Sequence, residues 1–210
     1  MPMETWEILL VDDHEIIRHG VRDVLQERFG TALSVREAGS FAAMEKALSV
    51  SLPHLLLLDL ELGDGNGMEL IRQLRTRFPK LRVLVFSMGA EHLFAPRAMQ
   101  HGALGFISKS RPLAELVLAV KEALQGRPYV SHEEQMRRLD HKPDGGINAL
   151  SEREQMVMRG LLAGQGVVEI ATRSGLKPNT ITTYKARLFD KLGVSNVLEL
   201  QQLVRAVERE

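Results

Sequence analysis

Short apolar runs alternate with longer segments of helical period over the first 125 residues. Five apolar runs lie at 6–11, 33–36, 54–59, 81–86 and 104–107. Between and after them, apolar residues recur every three or four positions at 15–29, 41–50, 68–78, about 95–101 and 112–125. Five strand–helix units in succession predict a parallel sheet with helices on both faces.

A proline interrupts the fourth helical segment. Proline lacks a backbone N–H, and it is tolerated best in the first turn of a helix, where that N–H has no partner in any case. We therefore predict that the fourth helix is short and begins near Pro96.

Acidic residues close two of the apolar runs. Asp12 and Asp13 follow the first run, and Asp59 ends the third. Because the carboxyl ends of parallel strands meet at one edge of a sheet, where such sheets bind ligands, we expect the three carboxylates to converge. Clustered carboxylates suit Mg²⁺, which keeps several waters and accepts further oxygens from a phosphoryl group.

Polar residues also follow the fourth and fifth runs, where Ser87 and Lys109 stand. If Asp59 accepts a phosphoryl group, Lys109 can pair with one phosphoryl oxygen and Ser87 can donate to another, while Mg²⁺ on the three aspartates neutralises charge. Each residue alone is typical of a helix cap or a solvated loop. Their coincidence at four strand ends favours a phosphoryl site.

Composition limits the class of protein. The chain has 210 residues, enough for two domains, and its 27 basic and 27 acidic residues cancel, so no net charge draws it to nucleic acid or membrane. The absence of cysteine excludes disulfides, thiolate nucleophiles and Cys-ligated zinc, and it favours the cytoplasm. With neither a signal peptide nor a run of roughly 20 apolar residues, no membrane partner is predicted.

A change of composition separates a second domain. Residues 126–149 are rich in glycine, proline and charge, which predicts a linker with one short helix at 133–138. Every later segment is helical, at 150–163, 167–174, 178–192 and 196–208. We predict an α/β domain over 1–126, a linker over 127–148 and an all-α four-helix domain over 149–210.

The polar residues at the strand ends resemble those of the receiver domain of bacterial two-component response regulators. The match consists of Asp12, Asp13, Asp59, Ser87 and Lys109, with GALGFISK over 102–109. This resemblance covers residues 6 to about 126. It implies a flavodoxin-like fold with strand order 2-1-3-4-5, Mg²⁺-dependent phosphorylation of Asp59 by a sensor histidine kinase, and a switch in which Ser87 and Phe106 turn towards the phosphoryl group.

The helical region resembles the LuxR-type helix-turn-helix domain of the NarL/FixJ response regulators. The matching segments are LSERE at 150–154, EIA at 169–171, NTITTYK at 179–185 and KLGV at 191–194. Along 178–192 one face is apolar and should pack against the two preceding helices. That face carries Ile181, Tyr184, Leu188 and Leu192. The opposite face is polar and partly basic, which suits the major groove of DNA.

This resemblance implies that the polar face contacts DNA. Base-reading positions fall on Thr182, Thr183 and Ala186, phosphate contacts on Lys185, Arg187 and Lys191, and Asn179 shares the face. Any one of these basic residues alone would be typical of a solvated helix face.

The polar cap of this helix is missing. Lys177 stands where many relatives have Ser or Thr, which removes a side-chain cap of about 1 kcal/mol. Pro178 at the first helical position partly compensates.

The last helix carries an apolar stripe larger than one small core needs. Its members are Val197, Leu200, Val204 and Val207. The family resemblance implies a dimer contact here, while packing within the domain is the alternative for part of the stripe. A dimer on two half-sites would gain DNA affinity without further base contacts. The expected partners are DNA, a sensor histidine kinase and a second copy, with RNA polymerase as a further candidate.

Three functions are compatible with these features. The first is a cytoplasmic DNA-binding response regulator with no enzymatic turnover of its own. The second is a small Mg²⁺-dependent phosphatase of the haloacid dehalogenase type, but such enzymes have two carboxylates two residues apart after the first strand, whereas Asp12 and Asp13 are adjacent. The third is an atypical regulator controlled by protein contacts. Gly63, in place of the usual proline after the acceptor, and Pro96 favour it.

Overall fold

The computed structural model describes residues 5–62, 67–131 and 147–208. The chain divides into two compact units, Met1–Gln135 and Met136–Glu210. Gly63 and the predicted linker helix at 133–138 lie outside the described residues. Within the described ranges, no helix combines the length and the apolar composition that crossing a bilayer would require.

The first unit contains a five-stranded parallel sheet. Its strands are β1 (Trp6–Val11), β2 (Leu33–Ala38), β3 (Leu55–Leu58), β4 (Arg82–Ser87) and β5 (Gly105–Ser108). The order β2-β1-β3-β4-β5 confirms the predicted flavodoxin-like topology. The strand order reverses between β1 and β3, the position at which doubly wound sheets bind ligands.

Helices cover both faces of the sheet. They are α1 (Glu15–Phe29), α2 (Phe41–Val50), α3 (Gly67–Arg77), α4 (Glu91–His101) and α5 (Leu113–Leu124). Side chains alternate along a strand, so a sheet with two covered faces needs strands that are apolar throughout. Leu56 and Phe106 pack towards α2, α3 and α4, whereas Leu57 and Ile107 pack towards α1 and α5.

Helix α4 begins at Glu91, so the prediction that it starts near Pro96 is wrong. As the sixth residue of the helix, Pro96 removes a single hydrogen bond, the one to the carbonyl of His92. Leu93 and Ala95 are buried and belong to the turns that the proline was expected to exclude. Their packing outweighs the local penalty of the proline.

The chain after α5 returns along the free side of β5. Tyr129 forms a parallel bridge with Gly105, and its N–H donates to the carbonyl of Leu104 at 3.0 Å. A side chain at position 105 would collide with the carbonyl oxygen of Tyr129. Ser131 is buried, and its N–H donates to Glu91 at 3.1 Å. The packing of the first unit therefore continues past residue 126, the predicted end of the first domain, to residue 131.

The second unit is helical, as predicted. It consists of a 3-10 turn (Ile147–Ala149) and the helices α6 (Glu152–Leu162), α7 (Val167–Ser174), α8 (Pro178–Leu192) and α9 (Val197–Glu208). Helices α6 and α7 both pack against α8. Helix α6 begins with a reciprocal pair of hydrogen bonds between Ser151 and Glu154, while α7 and α8 end at Gly175 and Gly193 with positive φ.

Candidate functional site

The predicted acids meet at the carboxyl edge of the sheet. The N–H of Asp59 donates to the carbonyl of Val11 at 2.9 Å, which places the ends of β1 and β3 side by side. Oxygen or nitrogen atoms of Asp12, Asp13, His14 and Asp59 lie within 4.8 Å of one another. Asp12 and Asp59 are buried, while Asp13 and His14 are exposed. The cluster is thus buried on one side and accessible to solvent on the other.

Lys109 pairs with both buried carboxylates. Its Nζ lies 2.5 Å from Oδ2 of Asp59 and 2.6 Å from Oδ2 of Asp12. The side chains of Lys109, Asp12 and Asp59 are 4%, 1% and 3% exposed, so water screens these pairs poorly. Burial disfavours the ammonium, but the hydrogen bonds to Asp12 and Asp59 outweigh it, and the pKa of Lys109 is raised.

The other oxygen of Asp59 accepts two hydrogen bonds. The hydroxyl of Ser87 donates to Oδ1 at 2.6 Å, and the backbone N–H of Glu61 donates to the same atom at 3.1 Å. The Asp59 carboxylate is therefore held by hydrogen-bond donors on both of its oxygens. Phe106, the predicted switch aromatic, is fully buried and stacks on Phe94 of α4 with 6.3 Å between ring centroids.

The donor set suits a hard divalent cation. Three aspartates face one lysine, so the cluster carries more negative than positive charge, and carboxylate oxygens are preferred Mg²⁺ ligands. His14 was not among the predicted ligands. Its Nδ1 lies 2.6 Å from Oδ1 of Asp13. The position of His14 directly after Asp13 in the sequence could have indicated that it belongs to the cluster.

Helix α8 has the two faces that were predicted. On the inner face Ile181, Leu188 and Leu192 are buried and Tyr184 is half-buried. The residues exposed on the outer face include Asn179, Thr182, Thr183, Ala186, Arg187 and Asp190. Lys177 makes no side-chain cap, and Pro178 occupies the first helical position.

The threonine hydroxyls of this outer face are already engaged as donors. Thr182 donates to the carbonyl of Pro178 at 3.1 Å, and Thr183 donates to that of Asn179 at 3.0 Å. Each threonine thus presents a methyl group and an oxygen that can accept a further bond. The Nζ of Lys185 lies 5.3 Å from the centroid of the Phe189 ring.

Lys191 has an internal partner. Its Nζ lies 2.8 Å from Oε2 of the buried Glu154, which also accepts from the backbone N–H of Ser151 at 2.8 Å. The hydrogen bond from Lys191, followed by those from Ser151, lowers the pKa of Glu154 to about 2. Lys191 ties the end of α8 to the start of α6, and its side chain is 36% exposed, so its phosphate contact stays a prediction.

The predicted dimer stripe on α9 is only partly exposed. Leu200 is fully buried within its own domain, so the structure corrects the prediction for this residue, because a side chain without exposed surface cannot contact a second copy. Val197 and Val204 are half-buried, and Val207 is 38% exposed. Leu198, which was not predicted, is 65% exposed.

Comparison with known proteins identifies both domains. The family model for the response regulator receiver domain matches residues 8–121, and that for bacterial regulatory proteins of the luxR family matches residues 148–204. The transcriptional activator protein ExaE of Pseudomonas putida is 37% identical over 202 residues, covering 93% of this chain and 94% of ExaE. The response regulator GacA of Pseudomonas protegens is 30% identical over 200 residues, covering 93% of each chain.

Solved structures extend the likeness to the whole chain. A complex of the two-component response regulator RcsB with DNA has 26% identity and a TM-score of 0.73, covering 97% of this chain and 99% of RcsB. RcsB of Salmonella enterica serovar Typhimurium, bound to the rprA promoter with a phosphomimetic, has 26% identity and a TM-score of 0.61, covering 96% and 98%. The chain therefore belongs to the NarL/FixJ family of two-component response regulators, which join a receiver domain to a LuxR-type DNA-binding domain.

Proposed function

We propose that this chain is a cytoplasmic transcription regulator controlled by phosphorylation of Asp59 by a sensor histidine kinase. The observation that carries the proposal is the environment of the Asp59 carboxylate. Ser87 and Lys109 each hold one of its oxygens, and the acids of β1 lie beside it. These are the groups that a phosphoryl acceptor requires, arranged around one carboxylate.

The carboxylate of Asp59 is the nucleophile in the proposed transfer. A bond forms between one of its oxygens and phosphorus, the bond from phosphorus to the imidazole nitrogen of the kinase phosphohistidine breaks, and the leaving imidazole retains that electron pair and takes up a proton. Asp12, Asp13 and Asp59 would hold Mg²⁺, which supplies positive charge to the phosphoryl oxygens. No general base is needed, because a carboxylate nucleophile forms the new bond without giving up a proton.

Ser87 and Lys109 connect the transfer to the rest of the receiver. Both now donate to the Asp59 carboxylate, and in the phosphorylated protein both would donate to phosphoryl oxygens instead. Ser87 ends β4, close in sequence to α4, against which Phe106 packs. A change at Ser87 would therefore shift the equilibrium between two arrangements of α4 and Phe106.

The proposed output is DNA binding by α8. Support comes from the exposed outer face of this helix and from the RcsB relative, whose solved structure contains DNA. Thr182, Thr183 and Ala186 would face base edges, through methyl groups and acceptor oxygens, while Lys185 and Arg187 would contact phosphates, with Asn179 near them. Val197, Val204 and Val207, together with Leu198, would supply the contact between two copies on adjacent half-sites.

Phosphoryl incorporation from a small acyl phosphate, followed by mass spectrometry of the intact chain, tests the acceptor. We expect one phosphoryl group on the native protein with Mg²⁺, none with a chelator and none on Asp59→Asn. Asp23→Asn, which changes an exposed aspartate on α1, is the matched control and should behave as native. Equal incorporation into Asp59→Asn would overturn the proposal.

Recovery of bound chromosomal DNA with and without the phosphodonor tests the output. We expect phosphorylation to increase occupancy at a defined set of sites for the native chain and to have no effect on Asp59→Asn. Occupancy that is the same in both states would instead favour the atypical regulator. The relatives carry the names of regulators, and no feature of the described site favours the phosphatase.

A further inference from the structure

The guanidinium of Arg18 contacts the backbone of the acidic cluster from α1. Its Nη1 donates to the carbonyl oxygen of Asp12 at 2.7 Å, and its Nε donates to Oε2 of Glu37 at 3.2 Å. Glu37 lies on β2 and also accepts from Nη1 of Arg22 at 2.7 Å. The Arg18 side chain is only 16% exposed. One side chain thus connects α1, the end of β2 and the residue that follows β1.

Arg18 completes the set of contacts that holds Asp12. The N–H of Asp12 donates to the carbonyl of Ala38 at 3.1 Å. Its Oδ1 accepts from the backbone N–H of His14 at 2.8 Å, and its Oδ2 lies 2.6 Å from Nζ of Lys109. The carbonyl oxygen is the remaining polar atom, and Arg18 is its donor. That carbonyl belongs to the peptide bond that joins Asp12 to Asp13.

We infer that Arg18 is a positioning residue for the divalent cation. By fixing the peptide between Asp12 and Asp13, it fixes the relative orientation of a buried carboxylate and an exposed one. Asp13 depends on this peptide for its placement, because it lies beyond the end of β1 and its side chain is partly exposed. The inference rests on the proposed function, in which these two carboxylates bind Mg²⁺.

Geometry rather than charge distinguishes Arg18 from its neighbour on α1. Arg18 and Arg22 are both cations paired with Glu37, so removal of either one removes the same charge. Arg22 shares this carboxylate but pairs with Asp23, not with Asp12, through its other nitrogens. Removal of either arginine leaves Glu37 with one partner, whereas only removal of Arg18 releases the carbonyl of Asp12. Arg22→Ala is therefore a matched control.

Binding of Mn²⁺ to the full-length chain, followed by the electron paramagnetic resonance signal of free Mn²⁺ and without phosphodonor, tests the inference. We expect Arg18→Ala to weaken Mn²⁺ binding by about tenfold, the lower end of the effect found for groups that orient metal ligands. Arg18→Lys should fall between Arg18→Ala and native, because one ammonium cannot hold both the carbonyl and Glu37 in a fork. Arg22→Ala should stay within about twofold of native, while both alanine variants lose similar thermal stability.

A second readout is the Mg²⁺ concentration that gives half-maximal phosphorylation, which should rise in parallel for Arg18→Ala. Native affinity in Arg18→Ala, or an equal loss in Arg22→Ala, would overturn the role of Arg18. A native protein that binds Mn²⁺ but takes up no phosphoryl group would contradict the proposed function alone. A native protein that binds no Mn²⁺ would overturn both.

Discussion

The acidic cluster of the receiver and the outer face of α8 are built in opposite ways. Together with Ser87 and Lys109, the cluster brings together residues from four strand ends. The side chains of Asp12 and Asp59 are almost fully buried, and both pair with the buried Lys109. The outer face of α8 comes from one continuous helix, and most of its side chains are exposed. The cluster forms only when the whole sheet forms. The outer face of α8 needs only that helix and the two helices, α6 and α7, that pack against it.

Substitutions at the two sites should therefore differ in how much they change stability. In the cluster, a substitution removes a partner from a buried charge, so it must change the free energy of unfolding along with the chemistry. On α8, an exposed side chain can change with little effect on folding, so the residues proposed to contact DNA can vary while the domain is retained. Lys191 is the exception, since it lies on α8 but is paired internally with Glu154.

The largest expected effect is that of Lys109→Ala. Without the ammonium, two buried carboxylates lose their partner, and we expect the free energy of unfolding of the receiver to fall by about 3–5 kcal/mol in the absence of metal. Mg²⁺ should restore more stability to this variant than to the native chain. Urea unfolding followed by fluorescence of Trp6, the single tryptophan, measures both effects. Lys121→Ala, at an exposed position of α5, is the control, and an equal loss there would contradict the comparison.

Lys191→Ala and Arg187→Ala should differ although both residues lie on α8. We expect Lys191→Ala to destabilise the C-terminal domain by about 1–3 kcal/mol, because the buried Glu154 loses its ion-pair partner. Arg187→Ala should leave stability within about 0.5 kcal/mol and lower the salt dependence of DNA binding by about one phosphate contact. Hydrogen exchange of α6 and α8, with DNA titrations at several salt concentrations, separates the two.

The pH dependence of stability tests the ion pair between Lys191 and Glu154 further. The folded-state pKa of Glu154 is about 2, below its ordinary 4.5, so its contribution is present above pH 4.5 and is lost as the pH falls towards 2. The stability difference between native and Lys191→Ala should therefore shrink as the pH falls from 4.5. A difference that stays constant over this range would show that the ion pair does not account for the effect.

The smallest expected effect is a gain. Lys177 precedes α8 without a side-chain cap, and serine there could accept a hydrogen bond from the N–H of Thr180. We expect Lys177→Ser to stabilise the domain by about 0.5–1 kcal/mol and Lys177→Ala to give no gain. Hydrogen exchange of the first turn of α8 measures the change. No slowing of exchange in the serine variant would contradict the expectation.

The strands and most helices were predictable because their signals are local. The apolar runs of β1 and β3 indicate strands without reference to the rest of the chain. In the same way, the glycines after α7 and α8 indicate where these helices end. The start of α4 was not predictable, because a local penalty at Pro96 competes with the burial of Leu93 and Ala95 against distant residues. Periodicity alone does not weigh these two effects.

The residues of the candidate site were predictable for a topological reason, since parallel strands bring their carboxyl ends to one edge. Contacts made by long side chains across the sequence were not. Lys191 and Glu154 are 37 residues apart, and each alone resembles an ordinary surface residue. Arg18 binds a backbone carbonyl, and every residue type has one, so the sequence does not indicate this contact. The burial of Leu200 depends on how α9 packs against the rest of its domain.

The bridge between Tyr129 and Gly105 has a consequence for self-association. A parallel sheet has two edges, and an uncovered edge strand can pair with another chain. The returning segment covers β5, and only glycine at position 105 leaves room for it. The other edge, β2, carries Arg36 and Glu37, both in ion pairs, and charged side chains discourage such pairing. A side chain at position 105 would thus expose one edge of the sheet and favour aggregation of the receiver.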